Sequence, residues 1–91
     1  MARHLRIFGL VQGVGYRASF EVQARALRLC GWVRNRRDGS VEAVVDGEPQ
    51  AIEKIIVWSR RGPSSARVSE VAVTETDDAS AGDTFEVRAT L

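Results

Sequence analysis

The segment from Gln12 to Arg17 has the composition of a loop that binds an anion. Its two glycines, Gly13 and Gly15, can adopt the positive φ angles that turn successive backbone N–H groups toward one side. The helical pattern that follows would add about half a positive charge at its N-terminus, and the Arg17 guanidinium can hold two oxygens at once. These features predict a phosphoryl-binding site, with a glycine-rich turn and a solvated arginine as the alternative. The predicted substrate-binding residues are Gln12, Gly13, Val14, Gly15, Tyr16 and Arg17.

Asn35 is the second residue that could do chemistry. It stands near the end of an apolar, arginine-bearing segment, where an amide is a poor strand former. Taken alone, it is more typical of an Asx turn that leads into the following hairpin. If the chain brings it beside the Arg17 loop, its amide could hold a water molecule next to a bound phosphoryl group.

Length and composition limit the function classes that remain. The chain has 91 residues, of which 44% are hydrophobic and 27% charged, which predicts one globular domain over residues 1–91. The single cysteine, Cys30, and the single histidine, His4, cannot form an internal disulfide or a closed zinc site. We find no signal peptide or membrane span in the sequence and therefore expect a cytoplasmic protein.

The basic residues are unevenly distributed along the chain. Residues 1–37 contain eight arginines and one acidic residue, Glu21, whereas the whole chain carries a net charge of only +1. This asymmetry predicts that the first half faces an anionic partner.

Hydrophobic periodicity divides the chain into seven elements. Apolar alternation predicts strands where Val, Ile and Phe recur at every second residue, and the 3.6-residue pattern predicts two helices. A polar surface loop is expected from Asp77 to Asp83. The predicted strands are 4–11, Trp32–Arg36, Ser40–Asp46, Arg67–Thr76 and Thr84–Leu91, and the predicted helices are Ala18–Cys30 and a segment from Pro49 that stops at Gly62-Pro63.

This order predicts an α+β fold of the ferredoxin-like, split β-α-β type. Its sheet would be mostly antiparallel, with both helices on one face and a further strand at the C-terminus. If the strand Ser40–Asp46 lies between the first two strands and runs antiparallel to each, those two are parallel to one another. Their carboxyl ends then share one edge, which brings the loop that ends at Arg17 close to Asn35.

Three other function classes fit these residues less well. A nucleotide-binding P-loop requires a lysine after its second glycine, and the only lysine, Lys54, lies elsewhere. Gly13, Gly15 and Ala18 match a dinucleotide fingerprint, but 91 residues cannot form the doubly wound sheet that it requires. RNA binding on the same topology would use Phe8 with neighbouring arginines, but the strand Ser40–Asp46 lacks stacking aromatics and carries Glu42.

Two segments resemble the signatures of the acylphosphatase family. The first runs from Gly9 to Arg17, and the second from Gly31 to Asn35 with Gly39, Val41 and Gly47 beyond it; Arg61-Gly62-Pro63 and Ala66-Arg67-Val68 also look like the family. The resemblance implies a ferredoxin-like fold, no cofactor or metal, and a small-molecule acyl phosphate as substrate. It further implies that Arg17 binds phosphate and that Asn35 orients the attacking water.

The expected reaction is therefore hydrolysis of the carboxyl–phosphate anhydride to a carboxylate and inorganic phosphate. We expect a free-standing monomer that binds neither nucleic acid nor membrane. The alternative is a non-catalytic ferredoxin-like module that binds a ligand or RNA. The ending Ala89-Thr90-Leu91 lacks the aromatic residue with which family members often finish, a difference that bears on packing of the last strand.

Overall fold

The computed structural model describes residues 2–77 and 82–91, which form five strands and two helices. In chain order these elements are β1 (Ala2–Leu10), α1 (Tyr16–Ala26), β2 (Cys30–Asn35), β3 (Val41–Asp46), α2 (Pro49–Ser59), β4 (Arg67–Thr76) and β5 (Phe85–Val87).

The strands form one open sheet in the order β4-β1-β3-β2-β5. β3 lies between β1 and β2 and is antiparallel to both, β4 is antiparallel to β1, and the short β5 is parallel to β2. β1 and β2 are therefore parallel to each other, so their carboxyl ends lie at the same edge. The ferredoxin-like α+β fold expected from the sequence is confirmed.

Alternating side chains of the strands face the two helices and form the main core. Fully buried residues of α1 and α2, such as Phe20 and Ile55, pack against buried strand residues, including Leu5 and Val33. The period of two along each strand places every second residue on this face. Both helices therefore cover the same side of the sheet. The connection from β1 to α1 lies at the edge of this helical layer.

The first helix differs from the prediction at both ends. It begins at Tyr16, two residues early, and ends at Ala26, because Arg28 adopts a left-handed conformation with φ 59° and the Leu29 N–H bonds back to the Ala24 carbonyl at 2.9 Å. The apolar residues Leu27 and Leu29, which continue the helical pattern, pack in or against the core from this turn instead. Val22, an apolar residue within the predicted helix Ala18–Cys30, is 63% exposed and does not join the core.

Gly31, which directly follows the predicted helix Ala18–Cys30, is part of β2 and does not end α1. Its φ is 139°, and a Cβ atom there would lie 1.8 Å from the Val44 carbonyl oxygen. The close approach of two strand backbones, and not a helix cap, therefore requires glycine at this position.

The other boundaries were predicted within a few residues, except at the C-terminus. β5 covers only Phe85–Val87, so the predicted strand Thr84–Leu91 is too long. α2 ends at Ser59, three residues before Gly62. Of the predicted loop Asp77–Asp83, residues 78–81 lie outside the described residues.

A cluster of charged side chains covers the open face of the sheet. Glu42 on β3 is nearly buried and pairs with His4 at 2.7 Å, Arg34 at 2.8 Å and Arg36 at 2.9 Å. Burial by itself raises the pKa of the Glu42 carboxyl, but the hydrogen bonds from its three partners outweigh burial and lower that pKa to about 2. His4 is therefore a half-buried partner of this carboxylate.

Replacement of Glu42 by glutamine is expected to lower the free energy of unfolding by about 2 kcal/mol at pH 7, because three basic groups lose their common partner. Since the folded-state pKa of Glu42 is depressed, its contribution is present above about pH 4.5 and is lost as the pH falls toward 2. Urea unfolding between pH 7 and 2 should therefore show a shallower loss of stability in E42Q than in the wild type. Glu70→Gln, which changes an exposed β4 carboxylate, is the control. Parallel pH curves for E42Q and the wild type would contradict the assignment.

Each helix has 11 residues, and no helix in the described ranges is long and apolar enough to cross a membrane.

Candidate active site

The connection between β1 and α1 has the backbone geometry of an anion site. Gly13 has φ 74° and Gly15 has φ 79°, and Gly15 is the N-cap of α1. The first intrahelical hydrogen bond runs from Ser19 N–H to the Gly15 carbonyl at 3.1 Å, so the N–H groups of residues 16–18 have no acceptor within the helix. No side chain caps this end and no acidic residue lies in the first turn. The helix N-terminus therefore presents free donors where an anion would be stabilised.

Arg17 provides a full positive charge at the same end of α1. Its side chain is half-buried, and within residues 2–77 and 82–91 it forms no hydrogen bond or ion pair. By contrast, the guanidinium groups of Arg6 and Arg34 on the sheet are paired with Asp38 and Glu42. Arg17 is thus available to an anionic ligand.

Asn35 is the last residue of β2 and lies on the helix-facing side of the sheet, two residues beyond the buried Val33. Its Oδ1 atom is fully covered but accepts no hydrogen bond from any described residue. Leaving a buried amide oxygen unpaired costs about 1–3 kcal/mol. Such a cost is characteristic of functional groups that find their partner in a ligand or a bound water.

The loop, Arg17 and Asn35 line a single cleft of about 270 Å³ at the carboxyl ends of β1 and β2. The topology expected from the sequence therefore brings these distant residues together. The complete lining consists of Val11, Gln12, Gly13, Gly15, Tyr16, Arg17, Ala18, Glu21, Asn35 and Val87.

Some of the predicted site residues use their side chains elsewhere. Val14 is absent from the lining of the cleft and packs against the core. Tyr16 contributes to the lining, but its ring is buried against Phe20 and Trp58. The Gln12 side chain donates two hydrogen bonds to backbone carbonyls of the β2–β3 hairpin. Val14 and Tyr16 could therefore bind an anion only through their backbone N–H groups.

Four residues of the cleft were not identified as site residues from the sequence: Val11 and Ala18, which adjoin the loop, and Glu21 and Val87, which do not. Glu21 lies four residues after Arg17, one helical turn along the same face, and pairs with Arg25 at 3.2 Å. Val87 is opposite Val33 on β5 and is 41% exposed. The helical spacing could have indicated Glu21, whereas Val87 depends on the parallel pairing of β5 with β2.

The Tyr16 hydroxyl is expected to stabilise the fold without taking part in chemistry. It donates a 2.7 Å hydrogen bond to the Ser59 carbonyl, and burial raises its pKa above the usual value for tyrosine. Tyr16→Phe should lower the free energy of unfolding by about 1 kcal/mol, because the Ser59 carbonyl loses a buried donor. Denaturant unfolding measures this change, and turnover by the folded variant should stay within twofold of the wild type. A tenfold loss of turnover would instead place the hydroxyl in the reaction.

The cleft combines free N–H donors, an arginine without a partner among the described residues and a buried amide. Together with the ferredoxin-like fold, these groups define a class of small anion-binding α+β proteins. The comparisons with known proteins are more specific. The acylphosphatase family model matches residues 3–87. The chain is 54% identical over 70 residues to the acylphosphatase of Thermococcus kodakarensis, covering 77% of each chain. It is 47% identical over 85 residues to that of Thiobacillus denitrificans, covering 93% of each.

The solved structures agree with the sequence comparison. The crystal structure of acylphosphatase from Bacillus subtilis superposes with a TM-score of 0.89 at 30% identity, covering 97% of this chain and 99% of that one. The chain therefore belongs to the acylphosphatase family. Its function is that of an acylphosphatase, and the non-catalytic alternative is not favoured.

Proposed function

We propose that this protein hydrolyses small acyl phosphates, with the phosphoryl group held by residues 12–17 and the attacking water oriented by Asn35. The observation that supports this assignment is that Arg17, the free N–H donors and the unpaired Asn35 amide line one cleft. The products are a carboxylate and inorganic phosphate.

Acyl phosphates suit a cleft with this set of groups. Their leaving group is a carboxylate, which is stable as an anion near neutral pH, so no general acid is required to protonate it. Phosphoryl transfer then depends on alignment of the nucleophile and on stabilisation of the charge on the equatorial oxygens. The phosphate group can itself accept the proton of the attacking water, which completes the reaction without a separate protein base.

In this mechanism the two sides of the cleft have different tasks. The N–H groups of residues 16–18 and the Arg17 guanidinium stabilise the three equatorial oxygens, while the Asn35 amide holds the water in line with the bond that breaks. Val87, which is 41% exposed, supplies apolar surface in the same cleft, which suits the uncharged part of an acyl group. The acyl moiety therefore lies toward β5 and the phosphoryl group toward the start of α1.

RNA binding on the sheet is a poorer explanation of the basic residues. Arg34 and Arg36 both form ion pairs with Glu42, and the guanidinium groups of Arg34 and Arg88 lie over the Trp32 ring, at 4.6 and 4.9 Å from its centre. Trp32 is buried and Phe8 is half-buried beneath Arg6, so the described part of the open face offers no freely exposed aromatic ring on which bases could stack. Much of the positive charge of the first 37 residues serves these internal pairs.

The test is a comparison of turnover on benzoyl, acetyl and carbamoyl phosphates with turnover on p-nitrophenyl phosphate, a phosphate monoester. We expect kcat/KM for the anhydrides to exceed that for the monoester by about 100-fold or more, because the phenolate released from the monoester is more basic than a carboxylate and is therefore the poorer leaving group. Inorganic phosphate should inhibit competitively. Equal rates on both substrate classes, or no turnover of any anhydride, would refute the proposed reaction.

Three expectations from the sequence accompany this proposal. We propose that residues 1–91 act as one catalytic domain, since strands from both halves of the chain share the sheet. The monomeric state and the cytoplasmic location remain predictions. Light scattering of the purified protein and fractionation of the source cells measure them directly.

A further inference from the structure

Gln12 connects the anion-binding loop to the hairpin that carries Asn35. Its Nε2 atom donates to the Arg36 carbonyl at 2.7 Å and to the Ser40 carbonyl at 2.9 Å. The same two carbonyls close the hairpin, since they accept from Gly39 N–H at 3.2 Å and Arg36 N–H at 2.8 Å. One side-chain amide thus binds both sides of the turn directly after Asn35.

Among the described residues, no strand pairing links the loop to the β2–β3 hairpin at Gln12. The pairing between β1 and β3 ends at Ile7 and Val41, five residues before Gln12, and the pairing between β2 and β3 ends at Asn35 and Val41. The Asn35 Oδ1 atom has no protein donor among the described residues that would set its position independently. These pairings hold the Asn35 backbone through Val41, and the two Gln12 hydrogen bonds add a direct link between the loop and the residues that follow Asn35.

The hydrogen bonds also exclude a direct role for the Gln12 side chain in holding the phosphoryl oxygens. A glutamine amide has two N–H donors and one carbonyl acceptor, and both donors are used by the hairpin. The remaining carbonyl oxygen is an acceptor and would repel an anion. Gln12 therefore affects the reaction through another residue.

We propose that Gln12 is a positioning residue, which keeps Asn35 at the distance from the phosphate loop that in-line attack by water requires. This inference rests on the proposed function of Arg17 and Asn35. Displacement of a reacting group by about 1 Å can lower the rate about 100-fold, so loss of this connection affects the rate of the chemical step more than the binding of phosphate.

The test begins with Gln12→Ala and with Gln12→Met, which retains most of the side-chain length without any donor. We expect each to lower kcat for benzoyl phosphate by about 10- to 100-fold, while the inhibition constant of inorganic phosphate changes less than threefold. Thermal unfolding of each variant is measured to establish that it is folded. Gln23→Ala changes a half-buried glutamine of α1 outside the cleft and should behave as the wild type.

A double-mutant cycle with Asn35→Ala identifies the residue through which Gln12 acts. If Gln12 acts by positioning Asn35, Gln12→Ala should have little further effect on kcat once the Asn35 amide is absent. An equal loss in both backgrounds, or a tenfold weaker inhibition by phosphate in Gln12→Ala alone, would overturn the proposal. Failure of the proposed function is distinguishable, because Asn35→Ala alone would then retain wild-type kcat.

Discussion

Replacement of Arg17 by glutamine is expected to lower kcat/KM for benzoyl phosphate by about 1,000-fold. The guanidinium is half-buried, free of protein partners within the described residues, and located in the cleft beside the N-terminus of α1. Loss of one preorganised donor to a developing oxyanion commonly lowers the rate 100- to 1,000-fold. A guanidinium that contributes both a charge and paired hydrogen bonds belongs at the upper end.

Phosphate binding should weaken together with turnover, because in the proposed mechanism the guanidinium binds the same oxygens in substrate and product. We expect the inhibition constant of inorganic phosphate to rise at least about tenfold in Arg17→Gln. Arg17→Lys should recover only part of the loss, since an ammonium group retains the charge without the planar pair of donors. Arg60→Gln, which removes an exposed charge next to α2, is the control. A folded Arg17→Gln protein with near-wild-type kcat/KM would refute the assigned role.

Replacement of Asn35 by alanine is expected to lower kcat by about 100- to 1,000-fold and to change phosphate inhibition less than threefold. In the proposed mechanism the amide orients the nucleophile and does not hold the phosphoryl group, so its loss should affect the rate of the chemical step and leave anion binding nearly intact. This division between kcat and phosphate binding distinguishes Asn35 from Arg17. Steady-state kinetics with benzoyl phosphate, with inorganic phosphate as inhibitor, measures both quantities.

The stability of the Asn35 variant provides an independent check. Because the Oδ1 atom is buried without a donor from the described chain, its removal relieves an unfavourable term, and Asn35→Ala should unfold at the same temperature as the wild type or higher. Gln50→Ala, an exposed amide on α2, is the control for general effects of amide loss. A large decrease in Tm would show that Asn35 serves the fold rather than the reaction.

Several elements of the fold follow from local sequence. The alternation of Leu5 and Ile7 identifies β1, and Asp38-Gly39 marks the turn of the following hairpin. The end of α1 was harder to predict from the sequence. The helix ends at Ala26, but the apolar pattern continues past it through Leu27, Leu29 and Cys30. The left-handed turn at Arg28 satisfies packing of Leu29 into the core, and such long-range packing overrides local propensity.

The same limit applied to the C-terminal strand. Thr84 to Leu91 alternates as a strand should, but β5 ends at Val87, after pairing with residues 31–33 of β2. Alternation describes which faces a segment could bury, whereas the length of a strand depends on how far a neighbouring strand offers free backbone groups. That neighbour cannot be identified from the segment itself.

The sequence by itself determined the order of the elements, and it predicted the anion-binding character of residues 12–17 and the two residue types on which the proposed mechanism depends. These properties reside in short segments, where glycine conformation, helix polarity and side-chain charge act between near neighbours. Only the tertiary structure decided that Gln12 is committed to the hairpin and that Glu21 and Val87 complete the cleft. Those relations depend on contacts between residues distant in the chain, since hydrogen-bond partners and cleft walls exist only once the strands have paired.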